Sequence, residues 1–297
     1  MRIGIDLGGT KIEIVALDDS GATHFRERVA TPSGDYAATL EAITTLVGRC
    51  EATIGVRATI GLGIPGSPSP ASGLIRNANS TCLNGRPLEA DLRRELQREV
   101  RLANDANCFA MSEANDGAGA NSPCVFGVIL GTGVGGGIVV QRRLLEGANL
   151  IGGEWGHNPL PQPDANDRPF PDCYCGRKGC IETYLSGPAL TAEHQRYTGL
   201  DLSAHEIATA AEYGEQCAEA TLERYEQRLA RALASVINIL DPDVIVLGGG
   251  LSKIQRLYRN VPRLWAEHIF SDVIHTRLVP AQHGDASGVR GAARLWD

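Results

Sequence analysis

Apolar positions along the chain fall into two periodicities. Residues 3–17, IGIDLGGTKIEIVAL, and 125–140, VFGVILGTGVGGGIVV, each read as a β-rich apolar run, a glycine turn and a second run of β-branched residues. Gly8-Gly9-Thr10 of the first lies over Gly131-Thr132-Gly133 of the second. A repeated strand–turn–strand unit predicts two related domains facing each other across a cleft. Elsewhere the spacing changes to three and four. Tyr36, Leu40, Ile43 and Val47 predict a helix, with Ser33 and Asp35 available as caps, and Leu88, Leu92, Leu96 and Val100 predict another. Leu222, Tyr225, Leu229, Leu233, Val236 and Leu240 predict a helix over 218–240, ended by Asp241-Pro242. Val244–Leu247 then reads as a short buried strand running into Gly248-Gly249-Gly250, and VRLA at 100–103 reads as a strand followed by a helix over 106–114. Residues 158–172 break the pattern, because Pro159, Pro161, Pro163, Pro169 and Pro171 prevent both ladder and helix. Something must tie this loop down.

Composition narrows the class. The chain has 297 residues, 43% of them hydrophobic, enough for two domains with real cores. Its 28 basic and 35 acidic residues give a net charge of −7, which argues against a nucleic-acid surface. An anionic ligand would need a metal ion, backbone N–H groups or one placed Lys. MRIGIDLGGT is not a secretory leader, and no run approaches the length of a membrane helix, so a cytoplasmic, non-membrane protein is expected. In a reducing compartment, the three of eight cysteines crowded into 173–180 point to metal rather than disulfides.

Three glycine turns, at 8–10, 131–137 and 248–250, can each bring backbone N–H groups to a phosphate, or can be plain tight turns. Gly131, Gly133 and Gly136 satisfy the dinucleotide spacing, but Gly137-Ile138-Val139-Val140 continues as a strand where that motif needs a helix. The Walker pattern fails too, since Gly9 is followed by Thr10 and then Lys11. Asp6, just before the first turn, reads either as a carboxylate addressing Mg²⁺ or as a turn cap. Lys11 either meets phosphates or points outward. Asn104 and Asp105 stand at a strand–helix junction, where the bland role is an N-cap and the sharp one a general base. Cys173, Cys175 and Cys180 with His157 form a Cys₃His set, the composition of a closed structural zinc site that brackets the proline-rich loop. Glu154 and Glu182 flank these ligands and suit hydrogen bonds to sugar hydroxyls.

The motifs IDLGGTK (5–11), GIPG (63–66), LANDANC (102–108), LGTGVGGG (130–137), GEWGH (153–157), CYCGRKGCIE (173–182) and DPDVIVLGGGLS (241–252) resemble those of the ROK group (repressors, open reading frames, kinases) in the actin/hexokinase superfamily. The resemblance implies an α/β, two-domain actin-like ATPase (ribonuclease H-like) fold. Its small domain would be 1–117 and its large domain 118–297, with a zinc-bound loop 157–180 and a last helix packing back on the small domain. It implies Asp105 as the catalytic base, and Gly66, Asn79, Asn104, Glu154, His157 and Glu182 as sugar contacts. ATP would be held by Gly4, Ile5, Asp6, Leu7, Gly8, Gly9, Thr10 and Lys11, by Gly131, Thr132, Gly133, Val134, Gly135, Gly136, Gly137 and Ile138, and by Gly248, Gly249 and Gly250. Structural Zn²⁺, Mg²⁺ with ATP and a homodimer are implied as well. Residues 77–85, NANSTCLNG, with GIPGSPSP, resemble the bacterial fructokinases (mannofructokinases) of the group, implying fructose to fructose 6-phosphate, with mannose and slow glucose turnover beside it. The alternatives are an N-acetylglucosamine kinase or glucokinase of the same group, or a non-catalytic sugar sensor or repressor. Repressors of the group carry an added helix-turn-helix segment, for which a phosphate turn beginning at Gly8 leaves no room.

Overall fold

The computed structural model describes residues 1–297 apart from Asn79 and the side chain of Asp285. In chain order the strands are β1 (Arg2–Leu7), β2 (Lys11–Leu17), β3 (Thr23–Ala30), β4 (Thr59–Ile64), β5 (Ser67–Pro68), β6 (Ile75–Arg76), β7 (Val100–Asn104), β8 (Cys124–Leu130), β9 (Val134–Val140), β10 (Arg143–Leu144), β11 (Val244–Gly248) and β12 (Arg277–Pro280). The helices are α1 (Tyr36–Ile54), α2 (Leu88–Leu96), α3 (Asp105–Asn115), α4 (Glu182–Leu185), α5 (Gly187–Thr198), α6 (Ala204–Glu212), α7 (Gln216–Leu240), α8 (Leu257–Leu264) and α9 (Ser287–Ala293). They form two compact units. The first comprises Met1–Asn121, Gly137–Gly152 and Gln282–Asp297, the second Ser122–Gly136 and Gly153–Ala281.

In the first unit the sheet order is β3-β2-β1-β4-β7. β1 and β2 pair antiparallel through the glycine turn, with Asp6 opposite Glu13 and Leu7 opposite Ile12, while β4 runs parallel to both β1 and β7. Ile3, Ile5 and Leu7 of β1 and Ile60, Leu62 and Ile64 of β4 are almost wholly buried, as a central strand covered on both faces requires. Gly4 and Gly61 serve packing. A Cβ at either would strike the backbone of α9, at Val289 and Ala292 respectively, so the missing side chains let that helix lie directly on the sheet. Helix α1 starts at the Asp35 cap, whose carboxylate accepts from the Ala38 N–H, and stops at left-handed Gly55 (φ 71°). The stripe through Leu88, Leu92 and Leu96 ends earlier than its spacing suggests. Gln97 turns left-handed (φ 51°), and Val100 opens β7 instead of adding a helical turn.

In the second unit β11 pairs parallel with β8 and β12. The second sheet as a whole has the order β10-β9-β8-β11-β12, and the unit boundary falls inside β9. Val244 to Leu247 are fully buried, which explains their uninterrupted apolar run. Helix α7 is capped by Glu215, whose carboxylate accepts from the Cys217 and Ala218 N–H groups, and it ends at Asp241 (φ 48°) before Pro242. Among the described residues no helix is long and apolar enough to cross a membrane.

Candidate active site

The first unit gathers the acidic groups. Asn104 closes β7 and is the N-cap of α3, its side-chain oxygen accepting from the Asn107 N–H at 2.7 Å. Asp105 is therefore the first helical residue, and its Oδ1 accepts only the adjacent Ala106 N–H among the side-chain bonds of the described residues, at 2.8 Å. The capping duty that could have explained Asp105 belongs to its neighbour. Asp105 remains open to solvent, yet desolvation by the surrounding protein raises its carboxyl above the ordinary carboxylate value. Asp6, at the end of β1, is pushed up to about 6, first by burial and then by the charges of Asp105 and Glu13. Glu13 itself is buried and held by Arg26 and Arg28 at 2.7 Å each. A largely buried carboxylate whose charge its acidic neighbours disfavour, as Asp6 is, suits a hard divalent cation such as Mg²⁺. The first residue pair of α9 crowds the same place, since a Cβ on Gly288 would lie 3.3 Å from Asp6 Oδ2.

The turn at 8–10 is partly self-satisfied. The Gly8 N–H donates to Lys11 O at 3.0 Å, and Gly8 O accepts from Thr31 Oγ1 at 2.7 Å. Gly9, Thr10 and Lys11 are exposed and can meet a ligand. Gly4, Ile5 and Leu7 are buried in the sheet. Gly66 takes φ 89°, where a Cβ would collide with Arg76 O and the Ala78 backbone. It thereby lets 76–78 lie against the end of β4. Asn84 fixes the same segment by bonding both the Ala78 N–H and C=O, at 2.9 and 3.0 Å. Asn79, the expected sugar contact beside it, lies outside the described residues.

The second unit carries the candidate metal-ligating set. Ligand atoms of His157, Cys173, Cys175 and Cys180 all lie within 4.8 Å of one another. Cys173 Sγ is 3.6 Å from His157 Nδ1, and Cys175 Sγ is 3.6 Å from Cys180 Sγ. A tetrahedron with the usual Zn–S and Zn–N bonds has edges of about 3.5–3.8 Å, so three sulfurs and one imidazole nitrogen fit a closed zinc site. Backbone bonds build the knuckle. The Cys173 N–H donates to Arg177 O at 2.8 Å, the Gly176 N–H to Cys173 O at 2.9 Å, and the Gly179 N–H to Pro171 O at 2.8 Å. The Arg177 N–H also draws the Cys175 thiol down to about 6, toward the thiolate a metal needs. His157 keeps Nε2 on the far side of its ring, 3.0 Å from the Tyr174 hydroxyl.

Around this set lie Glu154, exposed, and Glu182, half-buried at the start of α4. Both charges reach Tyr174, whose phenol is pushed up to about 12 by burial and then by Glu182, Cys173 and Glu154. Tyr174 was not singled out from the sequence, because a residue between two cysteines carries no pattern of its own. Glu182 also has a partner that sequence did not suggest: its Oε2 accepts from the Val134 N–H at 2.9 Å, next to Gly133. In the 131–137 stretch, the Gly131 N–H donates to Gly133 O at 3.0 Å, while Thr132 is exposed at the tip. Gly135 O accepts from the Trp155 indole at 3.1 Å. Gly136 and Gly137 serve packing, since a Cβ at the former would lie 2.9 Å from Trp155 and at the latter 2.7 Å from Ala106 O. Ile138 is likewise structural, its carbonyl accepting from Leu145 at 2.8 Å. At the third turn Gly248 is buried at the end of β11, Gly249 (φ 81°) lies against the Leu130 backbone, and Gly250 is open.

The proline-rich loop is held in its middle as well as by the knuckle around its cysteines. Asp167 is 2% exposed and bonds Arg228 Nε at 2.6 Å and Arg231 at 2.7 Å, both from α7. Arg228 also pairs with Glu193. These residues escaped sequence reading because an ion pair between positions some sixty apart leaves no local spacing.

The whole chain has close relatives. A 299-residue alignment with the N-acetyl-D-glucosamine kinase of Salmonella paratyphi C is 42% identical and covers 99% of both chains. The ROK hexokinase of Thermus thermophilus superposes with a TM-score of 0.88 at 30% identity, covering 99% of this chain and 97% of that one. A ROK family glucokinase from Streptomyces griseus, solved with glucose and AMPPNP, gives 0.75 at 26% identity, covering 99% and 98%. The two-sheet α/β architecture is thus that of ROK structures. The model of the ROK family matches residues 2–297, essentially end to end, and this chain belongs to that family.

Proposed function

We propose that the chain is an ATP-dependent sugar kinase acting on N-acetyl-D-glucosamine, transferring the γ-phosphoryl group to the sugar's primary hydroxyl. The kinase reading rests on Asp105: a solvent-accessible carboxylate, raised by desolvation, whose helix is capped by another residue and which is therefore available as a base. Phosphoryl transfer asks for such a base, charge neutralisation and positioning. The choice of sugar rests on the 42% identity with an N-acetyl-D-glucosamine kinase over 99% of both chains. That whole-chain likeness outweighs the short 77–85 segment that suggested fructose, and the fructokinase expectation gives way to its alternative.

In this reading Asp105 takes the hydroxyl proton as oxygen attacks phosphorus. Glu154, His157 and Glu182 hold sugar hydroxyls, and the exposed tips at 9–11 and at Thr132 meet phosphates. Asp6 would hold Mg²⁺, which offsets phosphate charge when bound. His157, Cys173, Cys175 and Cys180 would hold Zn²⁺, which orders the loop, with His157 Nδ1 toward the thiols and Nε2 directed to the Tyr174 hydroxyl. A panel of N-acetylglucosamine, glucose, fructose, mannose and N-acetylmannosamine with Mg-ATP tests the proposal by ADP release. The highest kcat/KM is expected for N-acetylglucosamine; a higher value for fructose would refute the assignment.

A further inference from the structure

The loop that carries the metal-ligating residues does more than face a sugar. Two of its side chains, each two residues from a ligand, reach the same glycine hairpin. Trp155 precedes His157, and its indole donates to Gly135 O at 3.1 Å while its ring packs edge-on against Phe126 of β8, centroids 5.6 Å apart. Glu182 follows Cys180, and its Oε2 accepts from the Val134 N–H at 2.9 Å, in contact with Gly133. A third tie lies just beyond, where the Gly187 N–H donates to Gly131 O at 2.7 Å. A hairpin of glycines has little conformational preference of its own. Its shape must come from what holds it, and here the holders are set by the residues that converge as a metal site.

We infer that Glu182 is a positioning residue for the nucleotide: one carboxylate oxygen fixes the 131–136 hairpin, so the metal-closed loop shapes the phosphate site as well as the sugar site. The inference rests on the kinase reading for the hairpin's role and deepens it. Glu182 Oε2 is engaged with backbone, which leaves Oε1 for a sugar hydroxyl, so one side chain serves both substrates. A group shared in this way couples their affinities.

The test separates the two duties. Binding of Mg-AMPPNP to the full, metal-loaded chain is measured by calorimetry without any sugar, so the result does not depend on which sugar is phosphorylated. Glu182→Gln keeps an acceptor for the Val134 N–H, whereas Glu182→Ala removes it. About tenfold weaker nucleotide binding is expected for Glu182→Ala, the effect of one hydrogen bond to a charged group. Glu182→Gln should stay within about twofold of the native chain while still raising the KM for sugar. Zinc content and circular dichroism identify a variant that fails to fold, in which case Trp155→Phe, which deletes the indole N–H while keeping an aromatic ring against Phe126, is read the same way. Nucleotide affinity unchanged in a folded, metal-loaded Glu182→Ala chain, with only the sugar KM raised, would overturn the inference.

Discussion

Replacing Asp105 by Asn tests the chemistry with little disturbance of the fold. The amide oxygen of Asn can accept the Ala106 N–H that Oδ1 now accepts at 2.8 Å, and the cap of α3 stays with Asn104. Removing one of two adjacent carboxylates also relieves the charge that raises Asp6. The change in stability should therefore stay within about 1 kcal/mol, whereas Asn104→Ala, which deletes a true cap, should cost about 1 kcal/mol or more. Catalysis should respond quite differently. Loss of a general base lowers kcat by about 10²–10⁴, or roughly 3–5 kcal/mol of activation free energy. Steady-state ADP release gives kcat, calorimetry gives sugar affinity, and a thermal melt reports the fold. An Asp105→Asn chain of native Tm that turned over within tenfold of the native rate would refute the assignment of Asp105 as base.

Asp6 supplies a pH prediction. Its carboxyl lies near 6 in the folded chain against an ordinary 3.8, raised by burial and then by Asp105. A raised carboxyl contributes stability in its protonated form, and that contribution is lost as pH rises from about 4 through about 6. Above that window Asp6→Asn should stabilise the metal-free chain by roughly 1–3 kcal/mol, and near pH 4 by little; an equal shift in Tm at both pH values would contradict this. Removing metal with a strong chelator should lower Tm and leave the three ligand cysteines open to thiol reagents, and elemental analysis should find equimolar zinc before treatment. A chain purified with no zinc and unaltered by chelation would refute the site. Arg228→Ala would remove the buried cation that Asp167 and Glu193 share, leaving Asp167 with Arg231 and Glu193 with Arg224, for a loss of about 3 kcal/mol measured by denaturant unfolding.

Much of the local structure was legible because it is local. The 3–17 hairpin, α7 with its stop at Asp241-Pro242 and the buried strand Val244–Leu247 follow from periodicity and turn chemistry within a few residues. The early end of α2 was not, because Gln97 adopts a left-handed turn that nothing in its type demands. Short elements such as β5, β6 and α9 also lack a pattern long enough to read. For the site, type and spacing could group Cys173, Cys175 and Cys180 with a nearby His, since metal chemistry restricts both.

What the sequence settled alone is therefore the covalent neighbourhood: which residues are strand or helix formers, where glycines permit a turn, and which thiols are close along the chain. Tertiary structure decided what each polar group does with its hydrogen bonds. It gave the α3 cap to Asn104 rather than Asp105, spent Glu182 Oε2 on the Val134 N–H, turned Gly4 and Gly61 into a seat for α9, and buried Asp167 against Arg228. The physical reason is that a donor or acceptor must be satisfied once water is excluded, and its partner can come from anywhere in the chain.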